Sequence, residues 1–261
     1  MATSIDWALI HAAIWRQRRE MLRPVHSLDP ITLDQLVGID DQKAHLLDNT
    51  RRFLAGTPAN NALLWGPRGT GKSSLIKALL NALAPEGLRV IEVDKDDLVH
   101  LPEIVDGIRD QPFHFIVFSD DLSFEAGDRT YKALKSALDG SIERPPDNVL
   151  VYATSNRRHL LPEYFADNND TRIEGGEIHY GEAVEEKISL SDRFGLWIPF
   201  YPASLGGYLE IVDSYFPDWA GDRTALHEAA RLFALGRGSR SGRTARQFFN
   251  QFVEAGGKRE R

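Results

Sequence analysis

Cysteine is absent from the 261 residues. That excludes disulfide staples, thiolate nucleophiles and cysteine zinc ligands. No apolar run approaches the ~20 residues of a membrane span. The opening residues, Met1-Ala2-Thr3-Ser4-Ile5-Asp6, lack the basic stretch of a secretory signal. A cytoplasmic protein without a membrane partner is therefore expected. The eight histidines show no H-x-x-x-H or other ligand spacing, which argues against a protein-held transition metal. No Ser–His–Asp arrangement can be read, and there are no internal repeats or low-complexity tracts. Excess positive charge is also missing. A net charge of −7 argues against a protein whose whole surface binds nucleic acid.

The charge is uneven, however. Residues 219–261 hold nine Lys/Arg against four Asp/Glu, leaving that tail at +5 and the remainder at −12. A basic helical tail can face nucleotide, a neighbouring subunit or DNA, or be a solvated helix face. Hydrophobic residues make up 42% of the chain, enough for a sizeable core. The length suits one α/β domain plus a smaller helical one.

Gly66-Pro67-Arg68-Gly69-Thr70-Gly71-Lys72-Ser73 matches the G-x-x-x-x-G-K-[ST] phosphate loop without a mismatch. Asn61-Ala62-Leu63-Leu64-Trp65 before it reads as a buried strand, and the stretch from Ser74 to Leu80 after it reads as a helix. Glycines let backbone N–H groups close around phosphates, and the helix N-terminus adds partial positive charge. Lys72 is placed to reach the β- and γ-phosphates of a nucleotide, and Ser73 to hold Mg²⁺. The candidate nucleotide-binding set is Gly66 to Ser74.

Candidate strands at Ala62–Trp65, Arg89–Val93, Phe113–Phe118, Leu150–Thr154 and Leu196–Phe200 alternate with helices, which implies a parallel sheet covered on both faces. Phe115-Ile116-Val117-Phe118-Ser119-Asp120-Asp121 ends a buried strand in two carboxylates. Behind a phosphate loop, the first such carboxylate binds Mg²⁺ and the second polarises the attacking water, so Asp120 joins Ser73 as a metal ligand and Asp121 is the candidate base. Asp121 is one methylene shorter than the glutamate commoner there, and Glu125 is the fallback. Ala153-Thr154-Ser155-Asn156 ends the next strand, where Asn156 can orient the lytic water or simply cap a turn. Arg193, in Ser191-Asp192-Arg193-Phe194, precedes the last strand. It can point at a neighbour's γ-phosphate or form a surface ion pair with Asp192 or Glu186. Arg243 opens the final helix beside Arg237, Arg240 and Arg246. Cations are disfavoured at helix N-termini, so this cluster points to an anionic partner.

The N-terminal residues 4–22 read as an amphipathic helix with Ile5, Leu9, Ile10, Ala13, Ile14 and Met21 on its apolar face and Arg16, Arg18, Arg19 and Arg23 polar. Asp40 or Asp41 can cap a helix that Gly56 stops. Residues 204–215, 223–235 and 242–255 read as three helices of a lid. Trp65, Trp197 and Trp219 are most simply packing residues. Residues 165–187 form a polar insert, the favoured place for partner contact. The loop after the second strand, Asp94-Lys95-Asp96-Asp97-Leu98, has no aromatic to grip a polypeptide and is too acidic for phosphates.

These elements, in this order, resemble the AAA+ ATPases: Walker A at Gly66–Ser73, Walker B at Asp120-Asp121, sensor 1 at Asn156, an arginine finger at Arg193 and sensor 2 at Arg243. Leu36-Val37-Gly38-Ile39 resembles the segment that packs on the adenine, adding Val37 and Gly38 to the nucleotide set. Three longer phrases, Leu64–Leu75, Val151–Leu160 and Gly181–Gly195, resemble a bacterial AAA+ group, domain of unknown function 815. The resemblance implies ATP and Mg²⁺ as ligands, catalytic roles for Lys72, Asp121, Asn156, Arg193 and Arg243, and a homo-oligomeric ring or partial ring. The expected architecture is a five-stranded α/β P-loop domain over 31–202, an N-terminal helical extension over 1–30 and a helical lid over 203–261. The leading function is an oligomeric ATPase that remodels or switches a macromolecular partner. A helicase-loader-type module that binds nucleic acid, although the charge does not indicate one, and a small-molecule kinase are the alternatives.

Overall fold

The central strands are buried on successive residues, and because successive side chains point to opposite faces they feed a core on each side of one sheet. In the computed structural model, which describes residues 5–124, 134–135, 146–157, 172–174, 177–179 and 193–256, the main sheet has seven strands. They are β1 (Ala12–Arg16), β2 (Met21–Pro24), β3 (Ala62–Trp65), β4 (Leu88–Glu92), β5 (His114–Ser119), β6 (Val149–Ser155) and β9 (Leu196–Pro199), in the order β2-β1-β4-β5-β6-β3-β9. All neighbours are parallel except β1 and β2. A separate antiparallel pair, β7 (Arg172–Glu174) and β8 (Glu177–His179), lies within the 165–187 insert. The rest of that insert, like Glu125 and Asp192, lies outside the described residues.

Ile116, Phe118 and Tyr152 pack on one face under α1 (Asp40–Leu54) and α2 (Lys72–Leu83). Phe115, Val117 and Val151 pack on the other, with Leu101 and Ile104 of α3 (Leu101–Asp106). Asn49 and Thr50 of α1 both meet the buried Tyr152 hydroxyl at 2.9 Å, and Asn49 also brackets Asn60. This polar knot fixes where β3 enters the sheet and hence where the glycine loop of residues 66–71 leaves it. Ile39, rather than Asp40 or Asp41, takes the N-cap position of α1, and both aspartates sit in its first turn.

The expected sheet is extended by two strands, and the expected N-terminal helix is replaced by the β1–β2 hairpin. The physical reason is tertiary. Ala12, Ala13 and Trp15 are buried from both sides, a pattern suited to a strand inside a sheet rather than to one helical face. Pairing with the free edge of β4 satisfies the backbone. The hairpin belongs to the same sheet as the phosphate loop, so a boundary at residue 30 does not divide the structure.

Arg89 ties the N-terminal segment down. It is buried, its pKa lowered by burial, and it donates to the carbonyls of Trp7 (2.6 Å), Ala84 (3.0 Å) and Leu88 (2.7 Å). Its guanidinium lies 4.1 Å from the Phe113 ring centroid. Arg89→Met is expected to destabilise the protein by about 2–4 kcal/mol, because three buried carbonyls lose their donor. Chemical denaturation checks this. A loss under about 0.5 kcal/mol would show that water replaces the guanidinium.

The chain ends in three helices, α4 (Leu205–Tyr215), α5 (Arg223–Arg237) and α6 (Gly242–Gly256), close to the expected spans. They enclose their own core around Tyr208, Phe216, Leu226 and Phe248. Ser204 and Asp222 cap α4 and α5. Among the described residues no helix is long and apolar enough to cross a membrane.

Candidate nucleotide site

The loop between β3 and α2 bends where only glycine fits. Gly66, Gly69 and Gly71 have φ of 142°, 80° and 100°. A Cβ on Gly66 would stand 2.1 Å from the Phe200 carbonyl oxygen, and one on Gly69 would stand 2.8 Å from Ser241 Oγ. Gly71 is the N-cap of α2 and supplies no side-chain cap. The first-turn N–H groups are therefore not taken up by a capping side chain, and that end of the helix carries its partial positive charge.

Lys72 is 6% exposed. Its ammonium donates to Gly66 O (2.6 Å), Pro67 O (2.8 Å) and Asn156 Oδ1 (3.2 Å). Burial lowers its pKa. Asp120 and Asp121 act against that, while Arg243 and Arg68 add to it. Ser73 Oγ donates to Asp120 Oδ1 at 2.5 Å. Thr154 Oγ1 donates to the same oxygen, also at 2.5 Å, and accepts from the Asp121 backbone N–H at 2.9 Å.

Asp121 is held in the left-handed region at φ 54°, a conformation Asp tolerates better than most residues but still a local strain. Both its carboxylate oxygens are engaged. Oδ1 accepts from Asn156 Nδ2. Oδ2 faces Arg68 Nη2 at 3.3 Å. The strained turn thus aims the Asp121 carboxylate across the mouth of the loop.

These groups border one cleft of about 1160 Å³. Val37, Gly38 and Ile39 form part of its apolar wall, with Ile211, Tyr215 and Phe249 from the helical module also lining it. Gly242 N–H donates to Gly69 O at 3.1 Å, joining the start of α6 directly to the glycine loop. Arg240, Arg243 and Arg246 line the cleft as well.

Arg193 stands apart. It precedes β9, whose register runs parallel to β3 from Leu196 beside Ala62 to Pro199 beside Trp65. It therefore lies toward the end of the strands opposite the loop, with the length of a four-residue strand, about 13 Å, between them. Lys72, Ser73, Asp120, Asp121, Asn156 and Arg243 are thus brought together with Val37 and Gly38, and Arg193 is not. The sequence pattern does not single out Thr154, and it places Arg240 and Arg246 in a cluster facing an anion without assigning them to this cleft. Position at the end of the strand next to the carboxylate pair is the signal for Thr154. For the arginines the signal is the spacing of three residues from Arg243.

The family model described as Protein of unknown function (DUF815) matches residues 8–256. The chain belongs to this family. The match begins before the hairpin and runs through the helical module, so both are part of the DUF815 fold. A segment of 76 residues is also 37% identical to the Replication factor C large subunit of Nanoarchaeum equitans (strain Kin4-M), covering 29% of this DUF815 chain and 18% of that relative. The similarity supports the resemblance to AAA+ ATPases, and the mixed α/β sheet is consistent with a P-loop NTPase fold.

Proposed function

We propose that this chain binds ATP with Mg²⁺ and hydrolyses it as an oligomer to remodel or switch a macromolecular partner, with α4–α6 as its lid. The observation that carries the reading is the meeting, at one glycine loop, of a buried lysine ammonium, a Ser73–Asp120 oxygen pair and the Asp121–Asn156 contact. The cleft residues fit the ligands. The Ser73 hydroxyl and Asp120 carboxylate are hard oxygen donors suited to Mg²⁺. Bound there, the ion supplies neutralisation of charge on the phosphate oxygens.

Lys72 exchanges its carbonyl partners for phosphate oxygens. Val37 and Gly38 pack on the base. Asn156 orients water, and Asp121 accepts its proton. Arg243 reaches the phosphates from the lid. Arg193 serves a neighbouring subunit's site, since it lies toward the end of the strands opposite its own loop. Partner contact is assigned to the 165–187 insert.

Phosphate release from ATP with no added acceptor tests the reading. Turnover that requires a small-molecule acceptor would identify a kinase instead. The similarity to a replication factor subunit supports the alternative of a nucleotide-dependent nucleic-acid module, for which DNA binding that weakens with salt is the test.

A further inference from the structure

The hairpin that replaces the expected helix carries a second groove, of about 720 Å³, away from the nucleotide site. One wall is cationic: Arg16, Arg18, Arg19 and Arg23 are all exposed. The other is anionic: Glu92 at the end of β4, then Asp94 and Asp97 in the following loop. Among the described residues, no ion pair joins the two walls.

The register explains why. Ile14 pairs with Arg23 on β2 and with Glu92 on β4, so the three lie in one row on one face. Two strand spacings, about 9.6 Å, separate Arg23 from Glu92, with half-buried Ile14 as the floor between them. The acidic side is self-repelling. Burial raises the Asp97 pKa, Asp94 and Asp96 raise it further, and His100 works against them.

A polyanion does not fit this groove. Glu92, Asp94 and Asp97 line the groove against the four arginines and Glu20 sits between the two arginine strands, so phosphates meet little net attraction. A surface with one positive and one negative lobe complements a surface of the same kind. The same chain supplies such a surface. We infer that the Arg16–Arg23 hairpin of one copy docks against the Glu92, Asp94 and Asp97 wall of a second copy, making the hairpin groove a contact of the oligomer. This inference rests on the proposed oligomeric ATPase and names a contact of its assembly.

Charge swapping tests it. One variant carries Arg18→Glu with Arg19→Glu, and a second carries Asp94→Lys with Asp97→Lys. Sedimentation velocity is measured on wild type, on each variant and on their equimolar mixture, with and without ATP, after circular dichroism shows each is folded. Wild type is expected to self-associate, more weakly as salt rises from about 0.05 to about 0.5 M. Each variant alone should associate at least about tenfold more weakly. The mixture should regain wild-type association, because each reversed wall then meets its opposite. Should a reversed pair fail to fold, Arg18→Ala with Arg19→Ala replaces it, with weakened association expected. A wild-type protein that stays monomeric, a variant that assembles like wild type, or a mixture no tighter than its parts would overturn the contact. Nucleotide affinity on the same samples separates the two readings. Wild type that binds ATP but shows none of the expected association retires only the contact, and a folded wild type that does not bind ATP retires the ATPase reading.

Discussion

Lys72→Ala is expected to weaken ATP binding by at least about 10²-fold while leaving the protein folded. A charge-assisted hydrogen bond contributes about 1.5–3 kcal/mol, and Lys72 brings three donors to the mouth of the loop. The fold does not depend on it to the same degree. Its ammonium is buried at a cost that its lowered pKa registers, with burial as the leading cause. The carbonyls it satisfies, Gly66 O and Pro67 O, belong to a loop whose neighbouring residues Arg68 to Gly71 line the open cleft. Stability should therefore change by no more than about 1 kcal/mol. Isothermal titration and a thermal melt on one preparation check both halves. Unchanged affinity in a folded variant would sink the nucleotide assignment.

Local chemistry made the glycine loop between β3 and α2 and the strand ending in Asp120-Asp121 legible in the sequence. The glycine positions match their positive φ values, and a buried strand running into Asp120-Asp121 brings the first carboxylate against Ser73. The three C-terminal helices were legible as helical spans at 204–215, 223–235 and 242–255, close to where the structure has them. The N-terminal segment was not. Ile5, Leu9, Ile10 and Ala13 can be read at helical spacing, but the state of residues 12–24 is decided by a partner strand more than 60 residues away. Single-segment periodicity carries no information about an open sheet edge. Long-range pairing also hides Thr154, whose role appears only when β6 lies beside β5. The same limit applies to Arg68, an exposed loop residue by sequence that reaches Asp121 across 53 positions.

Asp121→Asn should slow turnover by about 10²-fold or more, since asparagine keeps the shape but cannot take a proton. It should still bind ATP with Mg²⁺, because Ser73, Asp120 and Lys72 are untouched. If turnover survives, Glu125→Gln becomes the next variant to measure. Arg193→Ala should slow turnover by about 10³-fold or more and also leave binding intact. Geometry makes this pair informative together. Arg193 lies toward the end of the sheet opposite the glycine loop of its own chain, so under the proposed function it would act at a neighbour's site. In a mixture of the two variants, some interfaces combine an intact Asp121 from one subunit with an intact Arg193 from the next. Those interfaces should recover wild-type turnover, and mixed activity should exceed the sum of the parts. No recovery in the mixture, together with wild-type activity strictly proportional to enzyme concentration down to high dilution, would mean that one subunit carries a complete site. Arg193 would then be a structural arginine, and the charge-stabilising role would pass to Arg243 and its neighbours in the cleft.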